Sequence, residues 1–176
     1  MWKRVITDVE INGGEGKLLP QPNRVAARGI LRNPSGEVAL LRMSNGCAKL
    51  PGGGLEPGET PEAAFLREIL EETGQKAARP VRLGTIEEHK YQNGFFQLSY
   101  CLLADWAKAA CTPFLTVSEQ RLGLALFWEE PQSALLRMEK DFCQAEDYGL
   151  RFMMLREREI LFHYLDFLAK GEKEEQ

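Results

Sequence analysis

The chain has 176 residues, of which 44% are hydrophobic and 27% charged, and carries a formal net charge of −4. Domains commonly run about 100 to 150 residues, so this length fits one well-buried core, and the composition excludes disorder as the dominant state. The acidic balance excludes nucleic acid polymers as partners, because that binding rests on neutralising phosphates with Lys and Arg; a small phosphorylated ligand is compatible if a divalent metal supplies positive charge locally.

The opening MWKRVITDVE has no apolar core of signal-peptide length. No run approaches the roughly 18 apolar residues of a membrane span, so a cytoplasmic protein without membrane contact is expected. Residues 3–11 predict a strand ending at the Asn12-Gly13-Gly14 turn and residues 16–23 a loop, so that 1–23 forms an extra edge strand or an arm. Residues 24–32 are β-compatible, stop at Asn33-Pro34-Ser35-Gly36 and resume over 37–43, which predicts a β-hairpin. Leu50-Pro51-Gly52-Gly53-Gly54 excludes regular structure, and Pro57-Gly58 adds a turn. Thr60 then offers an N-cap and Pro61 a first helical position for a helix over 61–73, with Gly74 where a C-terminal cap belongs.

Residues 81–90 and 95–105 predict a second hairpin turning around Asn93-Gly94. A loop over 111–123, a short strand over 124–128 and a helix from Pro131 to about Met138 follow. In the segment 145–170, Leu150, Met154, Leu161, Leu165 and Leu168 recur at helical intervals. That C-terminal helix serves the core or a homodimer interface, and residues 170–176 form a frayed, solvated end. Cys47, Cys101, Cys111 and Cys143 have neither C-x-x-C spacing nor the density of a disulfide scaffold, so they are expected as reduced thiols. His89 and His163 are too few and too far apart for a zinc site. Strands on both sides of one mid-chain helix, with more helix at the end, indicate a single α+β domain over 1–176.

The segment that carries chemistry is 53–75, GGLEPGETPEAAFLREILEETGQ. On its helix Glu68, Glu71 and Glu72 stand at i, i+3 and i+4, three carboxylates on one face. Like charges so placed cost about 0.2 to 0.5 kcal/mol per pair unless cations answer them. A solvated surface face explains three glutamates taken alone, but the fixed spacing of Gly53, Glu59, Arg67-Glu68, Ile69, Glu71-Glu72 and Gly74 is far more specific. Hard oxygen ligands of this kind suit Mg²⁺ or Mn²⁺.

This spacing resembles the Nudix box, the signature of the Nudix hydrolase superfamily. The resemblance implies an α/β/α sandwich around a mixed β-sheet, with the box as loop, helix and loop, and a C-terminal helix outside it. It implies metal-assisted hydrolysis of a phosphoanhydride in a nucleotide or nucleotide-sugar substrate, that is, a nucleoside diphosphate linked to another group. Carried over, Glu68 and Glu72 are metal ligands, Glu71 a ligand or base, and the Gly53 carbonyl a further ligand. Arg67 bridges to Glu59 in structural support. Gln75 departs from the aliphatic residue that usually ends the box. A glutamate on a distant loop can also act as base, and Glu119 in FLTVSEQ is the candidate. Arg24, Arg28 and Arg32 share one strand face and are placed to contact phosphate, while Tyr91, Phe95 and Phe96 are either core or base platforms. The alternatives are a catalytically silent nucleotide-binding regulatory module, which would be expected to lose one of the three glutamates, and an isomerase of allylic diphosphates using Cys47.

Overall fold

The computed structural model describes residues 1–174, with side chains to residue 171. Eight strands form one mixed sheet: β1 (Trp2–Thr7), β2 (Arg24–Arg32), β3 (Val38–Arg42), β4 (Ala48–Lys49), β5 (Gly52–Gly54), β6 (Gln75–Lys90), β7 (Phe95–Ala109) and β8 (Ala125–Glu129). Their order is β1-β6-β7-β2-β3-β4, with β5 also on β2 and β8 also on β3. The β1/β6 and β2/β7 pairs are parallel and the rest antiparallel.

Alternation along the central strands sends successive side chains to opposite faces. One face packs Ala27, Leu31, Ala39 and Leu102 against Phe65 and Ile69 of α2 (Pro61–Thr73). The other packs Ile30, Leu40, Cys101 and Leu103 against Met138 of α4 (Pro131–Gln144) and Phe152, Leu155 and Leu161 of α5 (Tyr148–Glu174). The result is the helix, sheet, helix layering expected. Helix α5 serves the core, with Met154 and Leu161 fully buried and Leu168 packed against its edge. It is drawn through Glu174, and the fraying expected over 170–176 falls partly outside the described residues.

Helix α2 has the predicted bounds. The Thr60 hydroxyl accepts the Ala63 N–H, Pro61 opens the first turn, and Gly74 closes the last in the left-handed conformation at φ 68°. Several neighbours differ from expectation. The expected strand over 3–11 breaks at Thr7, whose side chain caps a five-residue helix, α1 (Asp8–Asn12), in a capping box with Glu10. The expected hairpin over 24–43 splays after a single pair, Arg32 with Val38, because β7 takes one side of β2 along its whole length and β5 occupies the other. The triple-glycine segment is not irregular: Gly52–Gly54 pair with Ala26–Arg28 as β5. Strand β6 starts at Gln75 rather than 81, with Arg79 and Pro80 taken up in a bulge and Arg79 at φ 52°. The expected loop over 111–123 contains a helical turn, α3 (Val117–Leu122), and α4 runs six residues beyond Met138 to Gln144.

Candidate active site

Strands β2 and β4 to β7, the C-terminal half of α2, α3 and the start of α5 line a cleft of about 350 Å³, near the lower end of common ligand pockets. Its acidic wall is Glu68, Glu72 and Glu119, whose carboxylates each offer an oxygen within 4.8 Å of the others. Two of them come from adjacent turns of α2. The third arrives from α3, whose Thr116 N-cap is held by the Glu119 carboxylate accepting the Thr116 N–H at 2.7 Å.

Each member is held by its surroundings. Glu72 is 3% exposed, with Oε1 2.5 Å from Lys49 Nζ and Oε2 accepting the Gly52 N–H at 2.8 Å. Glu68 accepts from Arg67 Nη1 at 2.9 Å. Burial first, and then the neighbouring Glu72 charge, push the Glu68 carboxyl above its usual range, against the pull of Arg67. Gly53 lies against this carboxylate so closely that a Cβ would overlap all three atoms of it. Only glycine leaves the space open, and the strand pairing of β5 holds it there.

Arg67 ties the preceding loop to the helix. Its Nε and Nη2 donate to the two oxygens of Glu59, both at 3.0 Å, and Nη2 also donates to the Gly54 carbonyl at 2.9 Å. That fork, before the weaker effects of the loop, keeps the Glu59 carboxyl below its usual range. Glu71 stands apart from the cluster: its side chain is 40% exposed and accepts from Arg67 Nη1 at 2.9 Å. Gln75, the departure from the box pattern, is half-buried and its Oε1 accepts the Trp106 indole N–H at 2.8 Å. A polar residue there has a specific partner that an aliphatic one would leave bare.

Of the flanking candidates, Arg24, Arg28 and Phe95 line the cleft. Arg32 is bound instead to Asp105, Phe96 stacks on His89 with ring centres 4.1 Å apart, and Tyr91 sits outside under Lys17. Cys47 lies in a separate groove with Asp141, where burial and that carboxylate raise its thiol, and nothing links it to the glutamates. Lys49, Lys90, Gln97 and Arg156 also line the cleft and were not foreseen. For Lys49 a signal exists, a lone cation two residues before a Pro-Gly-Gly-Gly run. For the others none does.

The carboxylate set suits a hard divalent cation: three carboxylates sharing one small space, with Lys49 and Arg67 as their only cationic neighbours among the described ion pairs. The Gly53 gap supplies room beside Glu68 that a side chain would fill.

Fold and site together define a mixed sheet between helical layers, with a glycine loop and a capped helix presenting glutamates at a cleft. The model of the NUDIX domain matches residues 22–121, and the chain belongs to that family. It is 40% identical over 58 residues to an 8-oxo-dGTP diphosphatase of Proteus vulgaris, covering 33% of this chain and 51% of that protein. It is 47% identical over 53 residues to an ADP-ribose pyrophosphatase of Methanocaldococcus jannaschii, covering 28% and 31% respectively. The matched stretch thus spans about half, or less, of the length of these two relatives. Among solved structures, a NUDIX hydrolase from Nitrosomonas europaea superposes with a TM-score of 0.61 at 18% identity, over 85% of this chain and 90% of that one, a likeness of fold. No helix among the described residues is long and apolar enough to cross a membrane.

Proposed function

We propose that this protein is a metal-dependent hydrolase that cleaves a phosphoanhydride bond in a nucleoside diphosphate derivative by attack of water on phosphorus. The observation that carries this reading is the convergence of Glu68, Glu72 and Glu119 within 4.8 Å. Relatives named for 8-oxo-dGTP and ADP-ribose support the class of substrate without choosing within it.

Glu68, Glu72 and the Gly53 carbonyl would hold Mg²⁺ or Mn²⁺, with the Glu119 carboxylate beside them. When bound, such an ion neutralises the diphosphate and makes water more acidic. Lys49 and the Gly52 N–H fix the Glu72 carboxylate, so its orientation does not depend on the ligand. Arg67 fixes Glu68 and the loop through Glu59 and Gly54. Glu119 is the best-placed carboxylate to take the proton as water attacks, because it sits on a short, mostly exposed helix at the mouth rather than in a tight ion pair. The bond between phosphorus and the bridging oxygen breaks, releasing a nucleoside monophosphate and a phosphorylated remainder. Glu71, paired with Arg67 outside the cluster, supports the loop.

The test is product release from a panel of nucleoside diphosphate derivatives and triphosphates with Mg²⁺, run beside Glu72→Gln. One class is expected to turn over and to lose at least about 100-fold in the variant. Silence across the panel from folded protein that still binds nucleotide would replace this reading with the regulatory module.

A further inference from the structure

A second charge cluster lies in the same cleft, and the reaction above leaves it without a task. Arg28 of β2, Lys90 of β6 and Arg156 of α5 all line the cavity. Arg156 is well partnered, donating from Nη1 to Glu88 at 3.0 Å and from Nη2 to Glu157 at 2.5 Å. Lys90 Nζ lies 3.4 Å from Glu88. Arg28 is in a different position. Its side chain is 5% exposed, yet its ion-pair contact is Glu157 at 3.7 Å, outside hydrogen-bond range, and its Nε–H has no partner.

Glu157 cannot serve it further, and Glu88 gives its Oε2 to Arg156 and Gln97 while its Oε1, 3.4 Å from Lys90 Nζ, makes no hydrogen bond. Glu157 already accepts from Arg156 at one oxygen and from the Leu50 N–H at the other. Three cations, Arg28, Lys90 and Arg156, therefore share two buried carboxylates, Glu88 and Glu157, which leaves one positive charge in excess. Arg24 adds another at the mouth. Burial, followed by repulsion from Arg156, lowers the Arg28 guanidinium to about 10, the mark of a desolvated charge short of a counter-ion. Among the described residues no ion pair joins this cluster to Glu68, Glu72 or Glu119, whose own cations are Arg67 and Lys49.

We propose that Arg28, Lys90 and Arg156 form an anion subsite that receives a second phosphate group, one the substrate carries in addition to its scissile diphosphate. Donors reaching the cleft from three separate elements suit a phosphate, whose several oxygens accept from different directions. The subsite narrows the substrate class to diphosphate derivatives bearing a further phosphate on the linked moiety or on the nucleoside. This rests on the cleft being the substrate site, but the binding test does not require turnover.

Inorganic phosphate is titrated calorimetrically into the whole protein in EDTA, which keeps divalent ions off the glutamates. Binding of one phosphate is expected, weakened at least about tenfold by Arg28→Met and by Lys90→Met, each checked for a single cooperative melt. Among compounds turned over with Mg²⁺, the preference in kcat/KM for a substrate with the added phosphate over its counterpart without it is expected to drop about tenfold in Arg28→Met. No phosphate binding by wild type, or binding that survives in a folded variant, overturns the subsite. Equal kcat/KM for the two substrates in wild type overturns the second phosphate and confines these cations to the scissile group. Because phosphate binding is read without metal, failure of the hydrolase reading and failure of the subsite give different results.

Discussion

Glu68, Glu71 and Glu72 are chemically identical and sit on one helical face, so what separates their roles is the company each keeps. Arg67 reaches both Glu68 and Glu71, but only Glu68 is also walled in by Gly53 and the cleft. Glu71 points to solvent, and Glu119 takes the third place in the cluster. Glu119→Gln is therefore expected to lower kcat by about 100-fold or more, within the range for loss of a general base, and Glu71→Gln by less than about tenfold. Steady-state kinetics of the two variants decide it; the reverse order would return the base to the box helix. At this scale the spacing of residues 53–75 made Glu68, Glu72, Arg67 and Glu59 readable as neighbours in one site, since each depends on contacts within one loop and one helix. Lys49 and Glu119 were harder, because their contacts with Glu72 cross the sheet and the cleft.

Helix α2 was readable from end to end because its determinants are local: a hydroxyl at Thr60, proline at the first turn, glycine at position 74. Gly74 adopts φ 68°, and a Cβ there would also press on the Cys111 carbonyl. Gly74→Ala is expected to destabilise the protein by about 1 to 3 kcal/mol, the usual range for a non-glycine residue held in the left-handed region. Urea denaturation should show a lower midpoint at unchanged slope; an unchanged midpoint would mean that the cap relaxes freely. The elements that escaped, α1 and α3, both carry the Thr-x-x-Glu signature of a capping box, Thr7 with Glu10 and Thr116 with Glu119. Each is so short, five and six residues, that no apolar periodicity accompanies the cap. Strand β5 escaped for the opposite reason. Three glycines offer no side-chain pattern, whereas their pairing with β2 is made entirely by the backbone.

Across the whole molecule, a buried ionic network joins β2, β6, β7 and α5 beneath the cleft. Glu88 is fully buried and meets Arg156, Lys90 and the Gln97 amide. Burial alone would raise its carboxyl, but the charges of Arg156, Lys90 and Arg28 outweigh that and hold it below its ordinary 4.5. A carboxyl depressed in the native state stabilises the fold fully above its unfolded value and loses that contribution as pH falls through the native one. Stability is thus expected to decline as pH drops below about 4.5. Glu88→Gln should be less stable near neutrality, because Arg156 loses a partner, and should lose less on acidification. Urea melts across that range test this; an equally steep acid decline in the variant would show that other carboxylates govern it.

What the sequence determined by itself is whatever a short stretch of chain dictates: the capped helix α2, the glycine loop before it, the row of glutamates, and through their spacing the family. Helical geometry places residues three and four apart on one face whatever surrounds them. What only the tertiary structure decided is which glutamate completes the cluster, where Arg24 and Arg28 part from Arg32, and that Arg28, Lys90 and Arg156 meet at all. Those residues come from strands and helices far apart in the chain, brought together by the parallel pairing of β2 with β7 and the packing of α5 across the sheet. Burial and charge balance are properties of that assembled environment, and no local spacing encodes them.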